Sequence, residues 1–377
     1  MTFSLDRRQA RRAVLLGIAC SALVLASCQT RAPIRPLPGE IAPIPGKHAV
    51  ALIVPLTGED GGIGTSISNA ARLALLDTGS QAIELRIYDS TQGGAAAAAS
   101  RAIAEGNRLI LGPLLAEDVR LAAPVAQRAR VPVIAFSNDD GVAGDGVYIL
   151  GFTPRQSMAR VVQYARSRGA QRFGALIPTG VYGQRASQAL LAALQASGGT
   201  LSAVESFDRN AAGVRTAVNA LNTKGRFDAI LIADSSRIAA QAAAALKPGS
   251  RLLGTELWAN DRTIGATVRL RGSWYAAAPD ARFDQLVTRY RARYGKTPYR
   301  LGSLGYDAVL LTVLATRSWP AGRPFPQRLL TEEDGFVGVD GIFRFGRNGV
   351  AERALEVREV TAAGTKVVSP AAAAFSD

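Results

Sequence analysis

Hydrophobic positions along the chain alternate between short continuous runs and longer stretches at helical spacing, which predicts strands alternating with helices. Ala49-Val50-Ala51-Leu52-Ile53-Val54 is a continuous apolar run of the kind a strand buried on both faces shows, and Pro55 stops it. After a Gly-rich loop, Ile67, Ala70, Ala71, Ala74 and Leu75 recur on one helical face within 66–76. The alternation continues with strands over 83–88, 108–111 and 133–136 and helices over 95–104 and 117–128. A second series follows, with helices over 157–168, 184–196, 211–222 and 237–246 and strands over 172–177, 201–207, 227–232 and 251–254. Such repetition argues for parallel sheets covered by helices, arranged as two similar α/β halves.

The start of the chain follows a different pattern. Arg7, Arg8, Arg11 and Arg12 precede an apolar stretch over 13–25, and Leu25-Ala26-Ser27-Cys28 has the form of a lipobox. The apolar stretch is shorter than the ~20 residues that span a bilayer. Residues 1–27 therefore read as a signal peptide and Cys28 as a lipidation site; an ordinary cleaved leader with an incidental Cys28 is the alternative. Cys20 falls inside the leader, so a mature chain keeps Cys28 alone and forms no internal disulfide. Prolines at 33, 36, 38, 43 and 45 make 31–46 an extended tether, reaching about 50 Å at roughly 3.1 Å per residue.

The formal charge of +14 is carried almost entirely by arginine, with lysine only at 47, 224, 247, 296 and 366. The arginines are scattered among acids with no dense basic run beside aromatics, which argues against nucleic-acid binding. What remains is a diffuse attraction to acidic surfaces. His48 is the single histidine, so Ser-His-Asp chemistry and histidine-rich metal sites are excluded. Gly62-Ile63-Gly64 with Asp89 echoes a dinucleotide fingerprint, but Ile67 stands where the third glycine belongs. Asn138-Asp139-Asp140-Gly141 lacks the alternating ligands and final glutamate of a calcium loop and reads as a turn. No catalytic residue, metal or cofactor is expected.

Several segments in order resemble the type 1 periplasmic binding proteins of the leucine/isoleucine/valine-binding class. They are Val50 to Gly58 with Gly64, Leu109-Ile110-Leu111-Gly112-Pro113, Val131-Pro132-Val133-Ile134, Leu304-Gly305-Tyr306-Asp307-Ala308-Val309, and Phe336-Val337-Gly338-Val339-Asp340-Gly341. The resemblance spans about 47–362. It implies two Rossmann-like lobes with parallel sheets joined by three crossovers, near 151–154, 276–279 and 328–335, with a cleft between them. The organisation expected is a signal peptide over 1–27 and an anchor and tether over 28–46. The first lobe takes 47–152 plus 277–330, the second 153–276 plus 331–366, and a tail 367–377.

In open α/β sheets ligands bind beyond the carboxyl ends of the strands. Thr57, Gly58, Ser137, Asn138, Tyr182, Asp234, Glu256 and Trp258 lie there and are the candidate cleft residues. By the resemblance, Ser137 falls near a hydroxyl position, Tyr182 near an aromatic wall, and Glu256 near an acid that meets an ammonium group. Glu256 with Trp258 suits a cation; a loop acid beside a packing tryptophan is an equally ordinary reading. Where the class presents hydroxyls to a ligand carboxylate, this chain has Leu114-Leu115-Ala116.

That departure, the lipobox and the tether are more similar to the penicillin-binding protein activator lipoproteins within this fold. Gln29 after the lipidated cysteine implies the outer membrane. The resemblance thus implies a non-catalytic, lipid-anchored periplasmic protein that activates a peptidoglycan synthase. The alternative is the substrate-binding lipoprotein of an ABC importer for an amino acid or similar solute.

Overall fold

The apolar run that opens the pattern lies inside the first sheet. In a computed structural model, which describes residues 46–375, β1 (His48–Val54) is buried along its whole length. The expected leader, Cys28 and the tether up to residue 45 lie outside the described residues. Parallel partners surround β1 in the order β2-β1-β3-β4-β5, with β2 (Ile83–Asp89), β3 (Ile110–Leu111), β4 (Val133–Ala135) and β5 (Val147–Ile149). Successive side chains of a strand point to opposite faces. Val50, Leu52 and Val54 accordingly pack against α1 (Gly61–Thr78), α8 (Ala281–Tyr294) and α9 (Gly302–Ala315). Ala51 and Ile53 pack against α2 (Ala95–Ala104) and α3 (Ala116–Ala129).

The second lobe repeats the arrangement around β6 (Arg172–Pro178), β7 (Thr200–Phe207), β8 (Ala229–Ile232), β9 (Arg251–Gly254) and β10 (Trp274–Ala277). One face carries α4 (Pro154–Ser167) and α5 (Val181–Ser197), the other α6 (Ala211–Thr223) and α7 (Ser236–Ala245). The sheet is mixed, because β14 (Glu356–Thr361) pairs antiparallel with β10, and β15 (Gly364–Ser369) antiparallel with β14 at the edge. The two-lobe α/β fold is therefore as expected, except that its second sheet is not purely parallel.

Two expectations about the end of the chain need correction. A small antiparallel sheet of β11 (Phe336–Gly338), β12 (Gly341–Phe345) and β13 (Ala351–Arg353) packs Phe336, Val339, Phe343 and Phe345 into the first lobe's core. Residues up to 353 thus belong to the first lobe, and the third crossing is made at 354–355 rather than over 328–335. The reason is packing: Phe343 and Phe345, alternate residues of β12, face the first lobe's core, where Phe345 lies 5.5 Å from Tyr148 of β5 and Phe343 5.5 Å from Phe336 of β11. The supposed tail from 367 begins as strand, since Val367 pairs with Arg358 and Ser369 with Val357.

The crossings converge on a buried charge network. Arg353 donates from Nη2 to the Leu150 carbonyl at 2.7 Å, and its guanidinium lies 4.8 Å from the Phe152 ring centre and 5.0 Å from that of Phe343. Asp340, fully buried, accepts from Arg300, and Asp307 accepts from the Val339 amide at 2.6 Å. Burial first, and the Asp340 charge second, push the Asp307 carboxyl upward. Breaking a buried charge set by removing one partner costs about 3–5 kcal/mol. Arg353→Met is expected to lose that much in denaturant unfolding, and adding Asp340→Asn is expected to recover part of it. A loss within 0.5 kcal/mol of zero, the size of an ordinary surface change, would contradict the account.

Candidate functional site

The carboxyl ends of both sheets face each other across the interlobe cleft, where a cavity of about 240 Å³ remains. Ile63, Leu114, Leu115 and Phe136 line it from the first lobe, Leu257 from the second, and Phe152 from a crossing. Its polar lining groups include Asn138, Glu256 and Arg300. Arg300 is already engaged by Asp340 and lies 4.0 Å from the Phe283 ring centre, so its charge is not presented to the cavity uncompensated.

Glu256 opens a short 3₁₀ turn, Glu256–Asn260, after β9. Its carboxylate accepts a hydrogen bond from Ser157 at the start of α4. Burial raises its pKa, with the bonds from Ser157 and Tyr182 acting the other way. The Tyr182 hydroxyl lies 3.4 Å from Thr255 Oγ1 and is pushed well above its ordinary value, by burial first and by the Glu256 charge second. Acid and phenol thus share one enclosed corner.

Charges of the chain itself tie the cleft's mouth. The Asp139 carboxylate, 4% exposed, accepts from Arg120 of its own lobe at 2.6 Å and from Arg185 of the second lobe at 2.7 Å. Asp140 receives Arg155, also of the second lobe, at 3.1 Å. Gly141 makes the approach fit: a Cβ there would lie 1.9 Å from Arg185 Nη2. Ser137 holds the turn by accepting from the Asp139 amide at 3.1 Å.

The structure therefore brings together only some of the expected residues. Asn138, Tyr182 and Glu256 border the cleft cavities. Ser137 is buried under the acidic turn, and Asp234 is paired with Arg209 at 2.7 Å. Thr57 bonds Asp89 at 3.2 Å, while Gly58 turns the loop at φ 74°. Trp258 is a correction: it is wholly buried in the second lobe's core, 6.0 Å from Tyr275, and donates to the Asp234 carbonyl at 3.0 Å. The missing side chain at Gly254 admits its ring, since a Cβ there would lie 2.2 Å away. Phe136, Phe152 and the clamp arginines Arg120, Arg155 and Arg185 were not foreseen. The acidic turn was visible but gave no sign of its partners.

The comparisons accord with this geometry. A family model described as periplasmic binding protein matches residues 48–365. The chain belongs to the periplasmic binding protein family. Among curated proteins, the uncharacterized protein RP748 of Rickettsia prowazekii is 27% identical over 170 residues, and the match spans 45% of this chain and 46% of that protein, about half its length. A putative branched-chain amino acid ABC transporter protein of Rhodospirillum rubrum has a similar fold, with a TM-score of 0.74 at 20% identity over 85% of this chain and 100% of the other. So has the C-domain of LpoA from Haemophilus influenzae, described as a regulator of PBP1A, with a TM-score of 0.65 at 18% identity over 85% and 99%. At these identities the structural likeness shows the fold. Family and fold are of the binding-protein type.

Two outcomes follow from the cleft. Arg185→Gln is expected to widen the radius of gyration in solution scattering and speed amide exchange over 137–142, while global stability falls by about 1 kcal/mol or less. Unchanged scattering and exchange would remove the clamp. A raised carboxyl pKa favours the fold fully below the unfolded value and loses that contribution as pH rises through the folded one. Glu256→Gln is therefore expected to match the parent's melting temperature in acid and exceed it at neutral pH; parallel pH profiles would contradict the burial argument.

Proposed function

We propose that the protein is a non-catalytic periplasmic lipoprotein, anchored through Cys28 and sorted to the outer membrane, that activates a peptidoglycan synthase of the penicillin-binding class by protein contact. The observation that carries this reading is the cleft itself. Leu114 and Leu115 wall the place where the resemblance implies hydroxyls for a ligand carboxylate, and the Asp139–Arg185 ion pair links the two lobes directly across the cleft's mouth. A two-lobed body closed by its own ion pairs suits a surface presented to another protein. The lipobox, the Pro-rich tether and Gln29 support the anchoring and its destination. The likeness to the LpoA C-domain supports the partner class.

A second reading, a receptor delivering a small solute to an ABC importer, is favoured by Glu256 on the apolar cavity, with the Tyr182 hydroxyl bonded to it from the adjoining cavity. That corner suits an apolar molecule with a cationic head, whereas a free carboxylate meets only Arg300 among the cavity's lining cations, and Arg300 is already paired with Asp340. The test is capture of partners by the mature lipoprotein from detergent-solubilised envelope, followed by a glycan-polymerisation assay. Recovery of a bifunctional penicillin-binding protein whose polymerisation rate rises on adding the lipoprotein is the expected outcome. Recovery of a permease without a synthase would overturn the proposal in favour of the receptor.

A further inference from the structure

A second concavity, of about 580 Å³, lies at the far end of the second lobe, by the amino ends of β9 and β10. Arg168, Lys247, Arg251, Arg269 and Arg271 line it, with Asp228 as the one acid. Asp228 is already used: it accepts from the Gln171 and Arg172 amides at 2.9 and 2.8 Å, and these bonds hold its carboxyl below the ordinary range. None of the five cations is within salt-bridge distance of a carboxylate among the described residues. Arginines elsewhere, such as Arg120, Arg185, Arg209 and Arg358, each have one.

The basin's cations are nonetheless held in place. Arg269 donates to the Ala243 carbonyl at 3.0 Å and to that of Leu246 at 2.7 Å. Arg271 donates from Nε to the Gly265 carbonyl at 3.0 Å. Arg251 donates to the Gly272 carbonyl and lies 4.3 Å from the Trp274 ring centre, while Lys247 donates to the Asn222 carbonyl at 3.0 Å. Neutral carbonyls fix the direction of these side chains without cancelling their charge, and each guanidinium keeps further N–H donors free. Ordering long side chains is a main cost of binding, and here it is largely incurred beforehand. A concave wall of like charge also focuses the field on an anion.

We propose that this basin binds a phosphorylated anion bearing two or more negative charges. Guanidinium forks match phosphate oxygens two at a time, which favours phosphate over a single compact anion. The group could be a lipid headgroup or a soluble phosphate, and the proposal is independent of the cleft and of the function proposed above.

The detergent-solubilised full chain would be titrated calorimetrically with inorganic tripolyphosphate and with short-chain dihexanoyl phosphatidic acid, using dihexanoyl phosphatidylcholine as control. Saturable binding is expected, weakened roughly tenfold or more by Arg251→Gln with Arg271→Gln, as loss of charge-assisted pairs implies. Lys247→Gln, at an exposed side chain, provides a second basin variant should the double variant fail to fold. Arg128→Gln with Arg317→Gln, exposed and outside the basin, is expected to leave affinity within about twofold, as screened distant charges should. Tighter binding of the short lipid would assign the headgroup source, and tighter binding of tripolyphosphate the soluble one. Absence of saturable binding, or equal losses in basin and control variants, would overturn the proposal.

Discussion

A parallel sheet has to be covered on both faces, and most of this architecture follows from that constraint. Val50, Leu52 and Val54 face one helical layer while Ala51 and Ile53 face the other, so β1 has no polar side to offer water. With the faces of the central strands sealed, the strand ends are left to form concave surfaces among the described residues. One end, shared by both lobes, forms the cleft; in the second lobe the opposite end forms the basic basin.

The two ends handle charge in opposite ways. At the cleft, anionic Asp139 and Asp140 meet guanidinium groups from both lobes, and the pairing holds the lobes together. The wall behind them is apolar, which strengthens the electrostatics of Glu256 and Tyr182 and raises both pKa values. At the basin, cations are steered by neutral carbonyls and left without counter-charge. Among the described residues, the basin is thus a place where the chain's diffuse positive charge becomes directional.

The crossings join these regions mechanically. Arg353 sits beside both the first and third crossings, bonded to the Leu150 carbonyl and held between Phe152 and Phe343. Phe152 also lines the cleft cavity. Movement of the lobes would therefore have to carry the aromatic that covers a buried cation, which couples cleft geometry to the charged core.

Local pattern was sufficient for what depends on neighbours in sequence. The apolar runs and helical faces marked β1, β6, β8 and the principal helices, because strand burial and amphipathic spacing are written within a few residues; the significance of Leu114-Leu115 came from the family resemblance and not from local pattern. β5, three residues long, and β10, at a crossing, carried too little period to be read as strands. The lobe to which β12 belongs, the burial of Trp258 behind Gly254, and the partners of Asp139 were decided only by tertiary structure. Each depends on which distant surface meets a given side chain, and residues 139 and 185 acquire their relation only when two separately patterned lobes close on each other.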